Sequence, residues 1–386
     1  MVISDRLAQI TESYFGKTMG RKIEHGPLPL INMAVGIPDG ETPKGILDHF
    51  AKALYHPKNQ KYVAFHGKDT FKQAIVDFYQ RQYSVDLDPE EVCILYGTKN
   101  GLVGLPTCIV NPGENVLLPD PGYTDYLAGV QLADAIPKTL PLSPPYYLPD
   151  WSQIANDVLI NTKLVYLTYP NNPTGSVATQ KVFDDAINQF KGTKTKIVHD
   201  FAYSAFGFDA KNPSILQTEG AKDLAVEVFS LSKAYNMSGF RVGFAVGNKD
   251  IIAALKKYQS HTHAGMFGAL QDAATYALNN YDDFLEEQNG KFKQRRDYVQ
   301  SQLDEVDIPY EPMSGGIFLW LKTPPAYDGE QFVEYLLQQQ SILVAPGSPF
   351  GQNAKHYVRM SLALDDNQMK EAIDRIKSLI KLYHHK

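Results

Sequence analysis

The chain has 386 residues, 44% of them hydrophobic and 21% charged, and a formal net charge of −6. That length exceeds one ordinary core and predicts two or three domains of soluble globular type. The mild acidity and the lack of any Lys/Arg-rich block argue against a nucleic-acid partner, and two cysteines make no disulfide framework.

The N-terminus has no basic segment followed by an apolar one, so no signal peptide is expected. No apolar run approaches the length of a membrane span. Cys93 and Cys108 lie in apolar runs and read as reduced core thiols of a cytoplasmic protein. Residues 3–18 place Ile3, Leu7, Ile10 and Tyr14 at helical spacing. A Gly/Pro-rich segment follows over 26–45, then an amphipathic helix over 70–83. From there short β-branched runs alternate with helical stretches. Strands are predicted at 92–96, 115–119, 164–168, 196–199, 225–230 and 240–247, and helices at 101–110, 123–132 and 179–190. Residues 250–303 read as largely helical. Strands at 315–321, 342–345 and 357–362, with helices at 330–340 and 366–383, make the tail a second α+β unit. The alternation predicts an α/β fold with a mostly parallel sheet.

The chemistry-bearing residues fall at strand ends, where open α/β sheets bind ligands. Gly97-Thr-Lys-Asn-Gly101 opens a helix, and free backbone N–H groups there suit an anion. Tyr169-Pro-Asn-Asn-Pro-Thr-Gly175 is a turn stiffened by two prolines, and it presents Asn172 as a hydrogen-bond donor. Asp200, in His199-Asp-Phe-Ala-Tyr203, is either a helix cap or the partner of a protonated ring nitrogen. In Ser230-Leu-Ser-Lys233 an amine follows two serine hydroxyls, and Arg241 lies further on. An amine beside phosphate-binding groups is the equipment for a phosphorylated aldehyde cofactor, pyridoxal 5'-phosphate (PLP). Arg359 is either a salt-bridged strand arginine or a planar fork for a substrate carboxylate. No metal site is expected.

With Lys233, Asp200, the Asn-Asn-Pro-Thr-Gly string and Arg359 in this order, the chain resembles the class I/II aminotransferases, which are fold-type I PLP enzymes. The resemblance implies a large domain at 45–285 with a mostly parallel, seven-stranded sheet. It also implies a smaller α+β domain built from both termini, 1–44 and 286–386. It implies that Lys233 is the Schiff-base lysine and moves the Cα proton. Asp200 is then the pyridinium partner, with Tyr203 and Asn172 on the phenolic oxygen. Thr98, Lys99, Ser230, Arg241 and, more weakly, Ser232 form the phosphate cup, and Tyr123 stacks on the pyridine ring. Arg359 binds the substrate carboxylate, and Gly36 offers a backbone contact. Tyr62, five residues before Gly67, is implied to reach the partner subunit's phosphate in a homodimer with shared active sites.

The run 110–129 is similar to a narrower group, the diaminopimelate aminotransferases and the methionine-salvage enzymes that aminate 4-methylthio-2-oxobutyrate. Ping-pong transamination between an L-amino acid and a 2-oxo acid is therefore expected. Residues near Tyr14, Phe15, Ile37, Tyr62 and 261–267 of a partner are expected to line the side-chain pocket. No arginine occurs in 258–270, which leans the substrate toward neutral, methionine-like or aromatic amino acids. A diaminopimelate-, alanine- or aspartate-type aminotransferase is an alternative, as is a carbon–sulfur β-lyase on the same fold. Such lyases commonly carry His where Asn171 stands here. A non-enzymatic regulator would need a DNA-binding domain for which the first 30 residues leave no room.

Overall fold

A computed structural model describes residues 2–10, 12, 16 and 23–384. Its centre is a sheet whose strands are β2 (Val92–Leu95), β3 (Asn115–Asp120), β4 (Ile136–Ser143), β5 (Leu148–Pro149), β6 (Thr162–Thr168), β7 (Lys196–Asp200), β8 (Ala225–Ser230) and β9 (Gly243–Gly247). Their order across the sheet is β2-β9-β8-β7-β6-β3-β4-β5. Strands β8, β7, β6, β3 and β4 are mutually parallel, while β9 runs antiparallel to both β8 and β2. The expected seven strands are present, and β5 adds a two-residue antiparallel pair at the edge.

The sheet is buried on both faces, so its strands read as continuous apolar runs. Along β6, Val165 and Leu167 pack into one core with Phe183 and Phe229. Leu164 and Tyr166 face the other core, with Leu102, Leu105 and Ile252. This alternation is the period of two that a pleated strand imposes.

A second sheet, in the order β10-β11-β14-β13, is antiparallel. Its strands are β10 (Tyr310–Glu311), β11 (Phe318–Lys322), β13 (Ala345–Pro346) and β14 (Tyr357–Ser361). Beside it, β1 (Ile31–Asn32) pairs in parallel with β12 (Ile342–Leu343), which brings the N-terminal segment to the C-terminal unit.

Several boundaries differ from expectation. Strand β4 was not anticipated, because Pro137 and Pro141 break a strand pattern. They are tolerated because β5 pairs only with Leu142 and Ser143, so the outer side of β4 at both prolines needs no N–H. The helix after β2 starts at Thr98 rather than 101, with Gly97 as its cap. The helix expected from 123 begins at Tyr126. Strand β9 starts at Gly243, because Arg241 adopts a left-handed φ of 55° that a strand cannot contain. The 250–303 stretch is three helices, Lys249–Thr262, Gly268–Asn280 and Asp282–Asp304. The terminal helix breaks into Asp366–Lys377 and Ile380–His384. Of the helix expected at 3–18, Asp5–Ala8 is helical, and Tyr14 and Phe15 lie outside the described residues. Cys93 and Cys108 are free thiols. No helix among the described residues is long and apolar enough to cross a membrane.

Candidate active site

The carboxyl ends of the parallel strands open onto a cavity of about 460 Å³. Thr98 and Lys99 follow β2, Tyr123 follows β3, Asn172 follows β6 and Asp200 ends β7. Ser230 ends β8, and Ser232 and Lys233 lie in the short helix Leu231–Ala234 behind it. Antiparallel β9 starts where β8 ends, with Ser230 paired to Gly243, so Arg241 arrives at the same edge. The second sheet contributes Phe318 and Arg359, and the N-terminal segment contributes Val35, Gly36 and Ile37.

At one end the cavity is an anion cradle. The helix Thr98–Ile109 points its N-terminus inward from Gly97, whose φ of 75° favours glycine. A Cβ on Gly97 would sit 2.5 Å from the Arg241 guanidinium, so the absence of a side chain there lets the arginine approach. Arg241 is fixed by a 2.9 Å bond from Nη1 to the Ser238 carbonyl. Lys99 lies 2.7 Å from Asp125, so its charge is partly balanced within the cavity. Arginine, two serine hydroxyls and free helix N–H groups together fit a phosphate ester.

In the middle stand Lys233 and Asp200. Burial, and then the charges of Arg359 and Arg241, pull the Lys233 amine down to about 8, so it loses its proton more readily than an ordinary lysine. Its Nζ donates to the carbonyl of Gly36. Asp200 is 7% exposed, and burial pushes its carboxyl up. Three contacts work against that: a 2.6 Å bond from Tyr126 Oη, a 3.1 Å bond from the Ala202 N–H, and the charge of His199. A buried carboxylate held this way suits a cationic ring nitrogen. The Tyr203 and Tyr123 phenols are pushed well up by burial and stay protonated donors. An aldehyde-reactive amine, a phosphate cradle and a buried carboxylate in one cavity fit PLP.

At the far end Arg359 is 2% exposed. It donates from Nη1 to Asn172 Oδ1 at 2.8 Å and from Nη2 to the Ala34 carbonyl at 2.7 Å. Its guanidinium carbon lies 3.9 Å over the Phe318 ring. A Cβ on Gly36 would fall 2.2 Å from Phe318 Cζ, so the segment 34–37 can lie this close only with glycine there.

Every cofactor, catalytic and carboxylate-binding residue expected from the sequence lines this cavity except Tyr62, which is 89% exposed and lies outside it. Of the expected side-chain pocket, Ile37 lines the cavity, the 261–267 segment of the same chain does not, and Tyr14 and Phe15 lie outside the described residues. Asp125, Tyr126 and Phe318 were missed. The string Tyr123-Thr-Asp-Tyr126 carried no signal that its last two members turn toward Lys99 and Asp200. Phe318 read only as a strand residue.

Residues 29–376 match the family Aminotransferase class I and II. The L-glutamine–4-(methylsulfanyl)-2-oxobutanoate aminotransferase of Bacillus subtilis is 42% identical, over 97% of this chain and 95% of that one. The LL-diaminopimelate aminotransferase of Aquifex aeolicus is 38% identical, over 97% and 98%. Among solved structures, an aminotransferase from Staphylococcus aureus superposes with a TM-score of 0.97 at 68% identity, over 99% of this chain and 100% of that one. The chain belongs to the class I and II aminotransferases, enzymes that transfer amino groups with PLP.

Proposed function

We propose that this aminotransferase acts on neutral, methionine-like or aromatic amino acids and their 2-oxo acids. One observation carries the reading. The cavity's cations are Lys99, Lys233, Arg241 and Arg359. Lys99 and Arg241 are at the phosphate cradle, Lys233 is the amine, and Arg359 is the fork for the α-carboxylate. No further cation among the described lining residues is left for a second carboxylate, and Val35, Ile37 and Phe318 are apolar. The Bacillus subtilis relative named for glutamine and 4-(methylsulfanyl)-2-oxobutanoate supports a neutral substrate.

When bound, PLP supplies an electrophilic carbon and a ring that takes up negative charge from the substrate Cα. The protein does the rest. Lys233 offers an amine that becomes neutral near pH 8 rather than 10.5; it would hold the cofactor and carry the proton at the substrate Cα. Asp200 holds the ring nitrogen protonated. Tyr203 and Asn172 donate to the phenolic oxygen, and Tyr123 covers the ring face. Thr98, Lys99, Ser230, Ser232 and Arg241 hold the phosphate. Arg359 orients the α-carboxylate through two parallel N–H donors, with Gly36 beside it.

The chain is further proposed to work as a cytoplasmic homodimer. Tyr62, exposed in the single chain, then completes the partner's phosphate cradle. The proposed division is a large domain at 45–285 and a small one from 1–44 and 286–386, with the helix Asp282–Asp304 running through the boundary as one rod. A panel of amino donors and 2-oxo acids, read by the change in cofactor absorbance, tests the substrate class. Methionine, phenylalanine or glutamine should exceed aspartate by tenfold or more in kcat/KM, on the order of 1.4 kcal/mol. A preference for aspartate or diaminopimelate would refute the reading.

A further inference from the structure

Behind Asp200 lies a charged group that the site chemistry does not use. His199 precedes Asp200 on β7, so its side chain points to the opposite face of the strand. It is 0% exposed, tilted against the rings of Phe183 at 4.7 Å and Phe201 at 4.9 Å. Its Nδ1 lies 2.7 Å from Glu227 Oε2, and its Nε2 lies 3.1 Å from the carbonyl of Tyr169.

A backbone carbonyl only accepts, so Nε2 carries a hydrogen. The Glu227 carboxylate already receives Tyr79 Oη at 2.8 Å and Ser214 Oγ at 2.7 Å on one oxygen. Its other oxygen receives the Ile215 N–H at 3.0 Å. Three donors already converge on this carboxylate and favour its ionised form, which leaves the shared proton on Nδ1. Both imidazole nitrogens then donate, and the pair is an imidazolium against a carboxylate. Single truncation of a buried pair of this kind strands a charge.

The three residues joined here belong to three strand ends. Tyr169 opens the turn that carries Asn172, His199 adjoins Asp200, and Glu227 sits opposite His199 on β8, three residues before Ser230. We propose that His199 is a positioning residue: held as an imidazolium by Glu227, it pins the ends of β6, β7 and β8 in the register that presents Asn172, Asp200 and Lys233 to one cavity. Its charge also favours the ionised form of Asp200 from the far side of the strand.

The inference rests on the PLP reading of the cavity, and its test separates the two. Wild-type protein loaded with PLP should give a visible absorbance band that titrates with pH. A wild type without that band would overturn the cofactor reading and the inference with it. Given the band, His199→Phe, which keeps a ring of similar size and removes both hydrogen bonds, should weaken PLP binding about tenfold. It should also displace the midpoint of the band's titration. His199→Gln, which restores amide donors without charge, should recover part of the affinity. A variant that loses only melting temperature, with the PLP dissociation constant within about twofold of wild type and the midpoint unmoved, refutes the proposal. If His199→Phe does not fold, Glu227→Gln carries the same test, because it removes the charge that holds the imidazolium. An unchanged dissociation constant and midpoint in that variant would equally refute it.

Discussion

The two ends of the cavity are built in different ways. The proposed phosphate end comes from one edge of a single sheet, with Ser230 paired to Gly243 at the end of β8, and Thr98 and Arg241 just beyond the ends of β2 and β9. The proposed substrate end is assembled from two pieces: the paired strands β14, with Arg359, and β11, with Phe318, and the segment 34–37 laid against them. On the proposed roles, cofactor chemistry rests on the edge of one sheet, while substrate choice rests on contacts between elements. Changes at the first end should abolish the reaction. Changes at the second should grade it.

The largest expected effect is at the shared centre. Lys233→Ala should remove transamination and the cofactor's visible band, and full activity without added amine would sink the assignment. The wild-type amine also sets a pH dependence. Its pKa in the fold is about 8, below the ordinary 10.5, and only the neutral form attacks. The rate at which cofactor-free protein captures PLP should rise about tenfold per pH unit below 8 and level off above it. Stopped-flow absorbance checks this, and a flat profile from pH 6 to 9 would contradict the placement of the amine.

At the substrate end, Arg359→Ala strands Asn172 and the Ala34 carbonyl. It should lower kcat/KM for amino acids by roughly 2–4 kcal/mol, on the order of a hundredfold or more, while PLP affinity changes little. A comparable loss of PLP affinity would mean that the two ends are not separate.

Smaller effects probe what holds the substrate end together. Asp39 continues the strip that carries Gly36, and Arg295 grips it with bonds of 2.8 and 2.9 Å while also binding Asp366 at the second unit. Burial alone would raise the Asp39 carboxyl, but the hydrogen bonds and charges of Arg295 and Lys291 bring it down to about 2. A depressed carboxyl stabilises the fold above its ordinary value near 4, and that stability is lost as pH falls toward 2. After discounting for solvent screening, Asp39→Asn should cost about 1 kcal/mol at pH 6. The deficit should shrink below pH 4, and urea unfolding at pH 6 and pH 3 measures it. Smallest of all, Tyr62→Phe should weaken PLP binding by about two- to threefold, roughly 0.5 kcal/mol, and only in the proposed dimer.

The same division explains what could be read without a structure. Lys233, Asp200, Asn172 and Thr98 sit in short strings where strand, turn and reactive residue are neighbours in sequence, so local pattern finds them. Tyr126 on Asp200, Asp125 on Lys99 and Phe318 under Arg359 are contacts between distant segments, and no local pattern encodes them. The pairing of His199 with Glu227 depends on the register of β7 against β8, which alternation of residue types does not specify. Strand β4 escaped because its prolines are harmless only beside a nearly unpaired edge.

The reversal of β9 has a consequence for how such a molecule diversifies. Because the chain turns back after β8, the anion anchor and the reactive amine both fall within Ser230 to Arg241. The spacing between them belongs to one short cassette and is indifferent to how the second sheet sits. Around the fixed Gly36, Val35 and Ile37 can drift in sequence and refit a new side chain. The cofactor's grip needs no adjustment in step.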